Sequence, residues 1–357
     1  MPKEISAHQH HDFIIVGQGL AGSLLAWSLL QADAKVCVIS DQQLSASRVA
    51  AGLINPVTGQ RFVLADRTPE MLTWAKRFYQ DIEKKLGIKC FHVQPMIRLF
   101  NNNKERNNCN KRLLQPTYKP YLHPYHIPNA LNAQHSGISQ RETAWLDTNI
   151  LLDALHDYFQ KHATVIYADL DAQAVQQQKN TFHWQGLSTS KIIYSQGYKM
   201  LENPLFSWLP LQPTHGEIIT CSTTEKISPE IINKGRWLLP ISTHSCRIGA
   251  TYEPNITLPT IQEESKQTLL QFARSLFTEK HSFSCTHHQA GIRPTTKDKQ
   301  PFIGFHPLHP NIFIFNGFGS RGSLLIPWYA REFSNTLLQG SPIPMEADIM
   351  RFTSSCV

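Results

Sequence analysis

The sequence predicts an α/β protein, in which a Rossmann-type, doubly wound dinucleotide-binding domain is interrupted by β-rich insertions. Three observations carry this. Residues 12–41, DFIIVGQGLAGSLLAWSLLQADAKVCVISD, run as apolar strand, glycine turn, apolar helix and second apolar strand. Near the other end, NIFIFNGFGSRG (311–322) and SLLIPWYAREFSNTLLQG (323–340) repeat the strand–glycine–helix order. Between them, residues 164–195 and 215–252 are dominated by short β-rich runs. The two strand–glycine–helix units are expected to share one domain.

Taken in order, Phe13–Val16 and Val36–Ile39 are continuous apolar runs, as expected of strands buried on both faces. Leu20–Leu30 reads as the helix between them. TPEMLTWAKRFYQDIEKKLG (68–87) opens on Thr-Pro and closes on Gly, the marks of a helix. NNNKERNNCN (101–110) reads as a mobile polar loop. LDTNILLDALHDYFQKHA (146–163) has helical apolar spacing behind an Asp cap. HGEIITC, RWLLPI and CRIGATY, within 215–252, read as three strands, and IQEESKQTLLQFARSLF (261–277) as an amphipathic helix.

The chain has 357 residues, enough for two domains, and its 41% hydrophobic and 17% charged content is ordinary for a globular protein. A net charge of +7 and a pI near 9.0 would suit an anionic partner, but no dense Lys/Arg block occurs, so the excess is read chiefly as solubility. The seven cysteines, Cys37, Cys90, Cys109, Cys221, Cys246, Cys285 and Cys356, are widely spaced and form no CxxC. That argues against a disulfide framework or a zinc site, and for a reducing, cytoplasmic setting. The opening MPKEISAHQHHDF lacks a signal-like apolar run, and no membrane-spanning stretch follows, so no membrane partner is expected. His8, His10 and His11 are read as part of a flexible polar leader, and no metal site is expected.

Gly17, Gly19 and Gly22 form G-x-G-x-x-G between strand and helix. The first allows the tight turn, the second lets backbone approach a pyrophosphate, and the third lets helix and strand pack closely. Leu20 and Ala21 open the helix whose N–H groups and positive end would meet the phosphates. An acid is expected where the second strand ends, to hold the ribose. Ser40 stands at that place and Asp41 follows, so either Asp41 reaches the ribose or Ser40 binds it more weakly. No arginine sits there to receive a 2′-phosphate. Gly317, Gly319 and Gly322 repeat the pattern without an acid-bearing strand after it. The positive end of helix 323–340 suits negative charge developing on a reduced flavin ring. In GIRPTTKDKQPFIG (291–304), Arg293 lies between Gly291 and Pro294, either as a fork for a carboxylate or as a surface charge beside Asp298.

Together with the opening unit, ASRVAAGLINP (46–56), RIGATYE (247–253), GIRPTTKDKQPFIG and GFGSRGSLLIP (317–327) occur in an order that resembles FAD-dependent oxidoreductases of the D-amino-acid oxidase class, glycine oxidases above all. GSRG followed by SPIPMEAD (341–348) is also similar to the oxidoreductase half of the bifunctional enzyme that modifies the wobble uridine of tRNA.

The resemblance implies FAD, with Ser47, Arg48, Ala50, Ala51 and Gly52 close to the flavin and its pyrophosphate. It sets Gly319, Ser320, Arg321 and Gly322 beside the isoalloxazine. It makes Arg293 the carboxylate clamp and Trp237 and Tyr252 candidates for the substrate pocket, with core packing as the alternative for both. Relatives often carry histidine where Phe318 stands here. The implied architecture is an FAD domain assembled from 1–72, 141–205 and 288–357, with a smaller antiparallel-sheet substrate domain from 73–140 and 206–287.

The implied reaction passes the α-hydrogen of an amine to flavin N5 as hydride, with no acid–base residue required. Hydrolysis of the imine follows, and oxygen takes the electrons. The substrate is expected to be a glycine-like amino acid or secondary amine. The alternatives are a carboxymethylaminomethyl group on tRNA, handled by a stand-alone oxidoreductase, and flavin binding without turnover.

Overall fold

The computed structural model describes residues 9–43, 45–170 and 172–355. The chain falls into two units. One gathers the chain up to Arg48, Asn149–Thr214 and the chain from Ile292; the other comprises Val49–Thr148 and His215–Gly291.

The first unit is built on a sheet with a parallel centre. Its order there is Thr164–Tyr167, Val36–Ser40, Gln9–Val16, Leu187–Tyr194 and His309–Asn316. Phe13 pairs with Val36, Ile14 with Ile192, and Ile193 with Phe313. Thr181–Trp184 and Phe302–His306 add antiparallel strands. The runs Phe13–Val16 and Val36–Ile39 are buried and apolar at every position, as strands covered on both faces are. Ile14, Val16, Cys37, Ile39, Tyr194, Phe302 and Ile314 share one buried cluster. The helix Leu20–Leu30 packs against the helix Gly322–Gln339, so the two glycine motifs open neighbouring helices.

The first strand begins at Gln9, which corrects the reading of a flexible leader over His10 and His11; His8 lies outside the described residues. His11 is buried, its Nε2 lies 2.8 Å from Thr164 Oγ1, and its backbone is in register with Thr189. Ladder pairing and this contact recruit a polar stretch into the sheet.

Among the described residues, the main sheet of the second unit has nine strands, against eight in the first. Its registers are antiparallel from Leu211–Thr223 through Ser245–Gly249 and Arg236–Ser242 to Ile231–Lys234. They turn parallel at Met96–Leu99 and return to antiparallel through Gly137–Gln140 to Leu122–His123. The helix Glu263–Ser275 buries Leu269, Leu270 and Ala273 among Ile219, Leu238 and Ile248. The helix Thr68–Leu86 stops at Gly87, whose φ of 68° is the left-handed cap that glycine adopts at little cost. Residues 49–72, which the sequence reading gives to the FAD domain, lie in this second unit, where Val49 and Ala51 pack with Met96, Trp145 and Leu239.

Residues 101–110 are the clearest correction: the loop is a helix, Asn103–Leu113. Asn102 caps it by accepting from the Glu105 N–H at 2.9 Å. Glu105 is itself buried, takes the Arg98 guanidinium at 2.5 Å, and accepts from Asn101 through its other oxygen. A cap and a buried, hydrogen-bonded ion pair outweigh the poor helix propensity of the asparagines.

Burial pushes the thiols of Cys37, Cys90, Cys109, Cys221 and Cys246 up to about 12, which makes them inert. No described helix is long and apolar enough to cross a membrane.

Candidate functional site

The three glycines of the first motif do different work. Gly17 has φ +107°, and a Cβ there would lie 2.4 Å from the Ser195 carbonyl oxygen. A Cβ on Gly22 would lie 1.9 Å from the Gly17 carbonyl oxygen, so helix and turn touch backbone to backbone. Gly19 is constrained by neither effect. Its φ of −74° is open to any residue, and the nearest atom to an added Cβ would be Ser47 Oγ at 3.4 Å. Packing within the protein does not require glycine at 19; a phosphate seated against the backbone would. Gly19 brings no capping side chain of its own to this turn, where the positive end of the helix dipole lies. The residues present therefore fit a dinucleotide.

Ser47 follows from the same geometry: its Oγ accepts the Leu20 N–H at 3.0 Å and ties residues 46–49 to the helix start. Ala21 follows Leu20 in that first turn. Arg48 does not point a free charge at this place; its guanidinium pairs with Asp153 at 2.5 Å and touches Asn149. At the end of the second strand, Ser40 Oγ accepts the Gln42 N–H at 3.3 Å and Asp41 accepts the Gln43 N–H at 3.1 Å. Asp41 also takes an ion pair from Lys199. Burial would raise the Asp41 carboxyl, but Lys199 and the Gln43 N–H hold it below the usual carboxylate value, so it remains an anionic acceptor.

The second glycine motif closes on the strand that bears Arg293. A Cβ on Gly317, φ +79°, would meet Thr296 Cγ2 at 2.8 Å, and the nearest neighbour of one on Gly319 would be Thr295 Oγ1 at 3.7 Å. Gly319, Ser320 and Arg321 form a 3-10 turn that runs into the helix starting at Gly322. Phe318 is buried against Phe315 with ring centroids 4.8 Å apart. Arg321 is the charge at this helix start, and burial lowers the pKa of its guanidinium while Tyr329 opposes that.

Arg293 is half-buried in the strand Phe283–Thr296. Strand alternation puts residues 293 and 295 on one face, and Thr295 is the residue facing Gly319. Asp298, the local alternative partner, is taken by Arg351 at 2.9 Å.

The remaining candidates lie in the second unit. Gly52, φ +67°, would place a Cβ 2.0 Å from the Leu146 carbonyl oxygen, and Ala51 is buried beside it, so both have a packing reason for their identity. The Trp237 ring lies on Gly249, where an added Cβ would be 2.5 Å from Cζ2. Tyr252 is 64% exposed.

Sequence reasoning missed Arg247. Its guanidinium donates to the Val49 carbonyl at 2.6 Å and the Ala50 carbonyl at 3.1 Å, fixing the segment that follows Arg48. The expected result of Arg247→Met is a loss of about 3 kcal/mol, a fall of roughly 6–12 °C in melting temperature for a unit of this size. Thermal melts followed by circular dichroism measure it. An unchanged melting temperature would mean that the bonds only offset the cost of burying the charge.

A profile of the family described as "FAD dependent oxidoreductase" matches residues 12–336. Glycine oxidase of Pseudomonas putida is 27% identical over 38% of this chain and 37% of its own length. The tRNA 5-methylaminomethyl-2-thiouridine biosynthesis bifunctional protein of Legionella pneumophila is 23% identical over 88% of this chain and 52% of its own length. The chain thus spans 37% and 52% of the length of these two curated relatives. The crystal structure of glycine oxidase from Geobacillus kaustophilus superposes with a TM-score of 0.79 at 18% identity, over 93% of this chain and 95% of that one. The parallel sheet, the open cradle at Gly19 and a family match over nearly the whole chain agree: this protein belongs to the FAD-dependent oxidoreductase family, and its cofactor is FAD.

Proposed function

We propose that the protein oxidises the C–N bond of a glycine-like amino acid or a secondary amine. The observation that carries this reading is Arg293, on the same strand face as Thr295, beside the Gly317–Gly322 turn. FAD supplies the hydride acceptor. The chain's own contribution is positioning. The Arg293 fork holds the substrate carboxylate, so the α-carbon sits at a fixed distance from the clamp. The exposed Tyr252 is the second substrate candidate, whereas Trp237 has its packing on Gly249 to account for it. An amine arriving neutral needs no base from the protein, and the imine hydrolyses in water. Molecular oxygen is the proposed electron acceptor and the cytoplasm the proposed setting.

A second reading has its own support. The pI of 9.0, the GSRG…SPIPMEAD ending and the long alignment to the Legionella relative favour a carboxymethylaminomethyl group carried on tRNA. The chemistry and the arginine would be shared. Peroxide release against a panel of amino acids, N-substituted glycines and undermodified tRNA separates the two. If tRNA is the substrate, binding weakens steeply with salt as counterions are released from phosphates. A small-molecule enzyme shows little such dependence, and absence of RNA binding at low salt eliminates the tRNA reading. A flavoprotein without turnover would release no peroxide from any member of the panel.

A further inference from the structure

We propose that the second unit contains a binding site for a single divalent first-row transition metal, zinc by preference, formed by His215, Glu217 and Glu253 with His288 beside them. Nothing in the sequence spacing announces it, and the sequence reading expects no metal. One ligand atom from each of His215, Glu217 and Glu253 lies within 4.8 Å of the other two.

The arrangement of donors argues for a cation. His215 is fully buried, and its Nε2 lies 2.9 Å from the Thr260 carbonyl oxygen. A carbonyl only accepts, so the proton is on Nε2. A carbonyl that fixes the imidazole in this way is the usual outer-shell partner of a metal-binding histidine. His215 Nδ1 lies 3.8 Å from Glu253 Oε2. Glu217 is also fully buried. Its Oε2 accepts the Gln262 N–H at 3.0 Å and lies 2.7 Å from His288 Nε2, while its Oε1 is buried with no hydrogen-bond partner. An acceptor oxygen left unpaired in the interior costs about 1–3 kcal/mol. Glu217 and Glu253 bring two carboxylates to one place, and a cation among them would offset their repulsion and give Glu217 Oε1 a partner.

The donor set also selects the cation. Imidazole with carboxylates and no thiolate suits zinc and its first-row neighbours better than calcium or magnesium. At bond lengths of about 2.0–2.2 Å, tetrahedral ligand atoms stand roughly 3.3 Å apart, so closing on the ion needs side-chain shifts of about an ångström. The Glu253 side chain, 34% exposed, gives the ion a way in. The ligands come from the strand Leu211–Thr223 and from Glu253–Pro254, with His288 on the strand Phe283–Thr296, so the ion would staple three separate segments of one sheet.

The test uses the tag-free, flavin-loaded protein, stripped with chelator and dialysed against zinc, with metal content read by mass spectrometry. One equivalent bound by the wild type, with at least about tenfold weaker binding in Glu253→Ala, is the expected result. Glu217→Gln should behave alike, and should it not fold, the more exposed Glu253→Ala decides. Zinc should also raise the melting temperature of the wild type and leave that of Glu253→Ala unmoved. The proposal is overturned if the wild type retains no zinc, or if Glu253→Ala binds it as tightly as the wild type.

Discussion

Gly19→Val should purify as a folded protein that holds no flavin. Its backbone at −74° tolerates any side chain, and no protein atom lies closer than 3.4 Å to the Cβ it would gain. The isopropyl group would occupy the space where a pyrophosphate must come against the helix N-terminus. Losing two backbone hydrogen bonds to a charged group removes about 3 kcal/mol or more, which weakens FAD binding roughly 100-fold or more. Far-UV circular dichroism and flavin absorbance on the same sample read fold and cofactor separately. Gly22→Ala is the contrast. Its Cβ would collide with the Gly17 carbonyl oxygen at 1.9 Å, so that variant should lose fold and flavin together. Normal flavin content in Gly19→Val would reduce the motif to a structural turn.

Arg293→Ala should keep its flavin and lose substrate efficiency. Removing one partner of a desolvated charge pair costs about 2–5 kcal/mol. At about 1.4 kcal/mol per tenfold, that is a loss of roughly 30-fold to several thousand-fold in kcat/KM. Arg293→Lys should recover only part of it, since a single ammonium cannot copy two parallel hydrogen bonds to a carboxylate. Asp298, the alternative local partner, already takes the Arg351 guanidinium at 2.9 Å. Wild-type flavin reduction in Arg293→Ala, at every substrate concentration, would remove Arg293 from the clamp.

What the sequence reveals depends on how local the cause is. Leu20–Leu30 and Val36–Ile39 are legible because their burial writes itself as unbroken apolar runs. The end of Thr68–Leu86 is legible because only a glycine sits easily at φ 68°. The helix Asn103–Leu113 is not, since its stability comes from Arg98, on a neighbouring strand. His11 looks like leader until Thr164 meets it. At the candidate site, the three glycines are readable, but only coordinates separate Gly17 and Gly22, which the fold demands, from Gly19, which it does not. Arg247 and the pairing of Asp41 with Lys199 depend on contacts between distant parts of the chain, and the His215, Glu217, Glu253 and His288 cluster does so to a greater degree.

The most direct test of the proposed activity is anaerobic mixing of the purified flavoprotein with glycine, N-substituted glycines and tRNA bearing a carboxymethylaminomethyl group, followed by stopped-flow absorbance. The account predicts that at least one of these bleaches the oxidised flavin band in a single turnover, with a rate that depends on substrate concentration and collapses in Arg293→Ala. If dithionite bleaches the band but no amine of the panel does, the protein binds FAD without oxidising a glycine-like C–N bond, and the central claim is wrong.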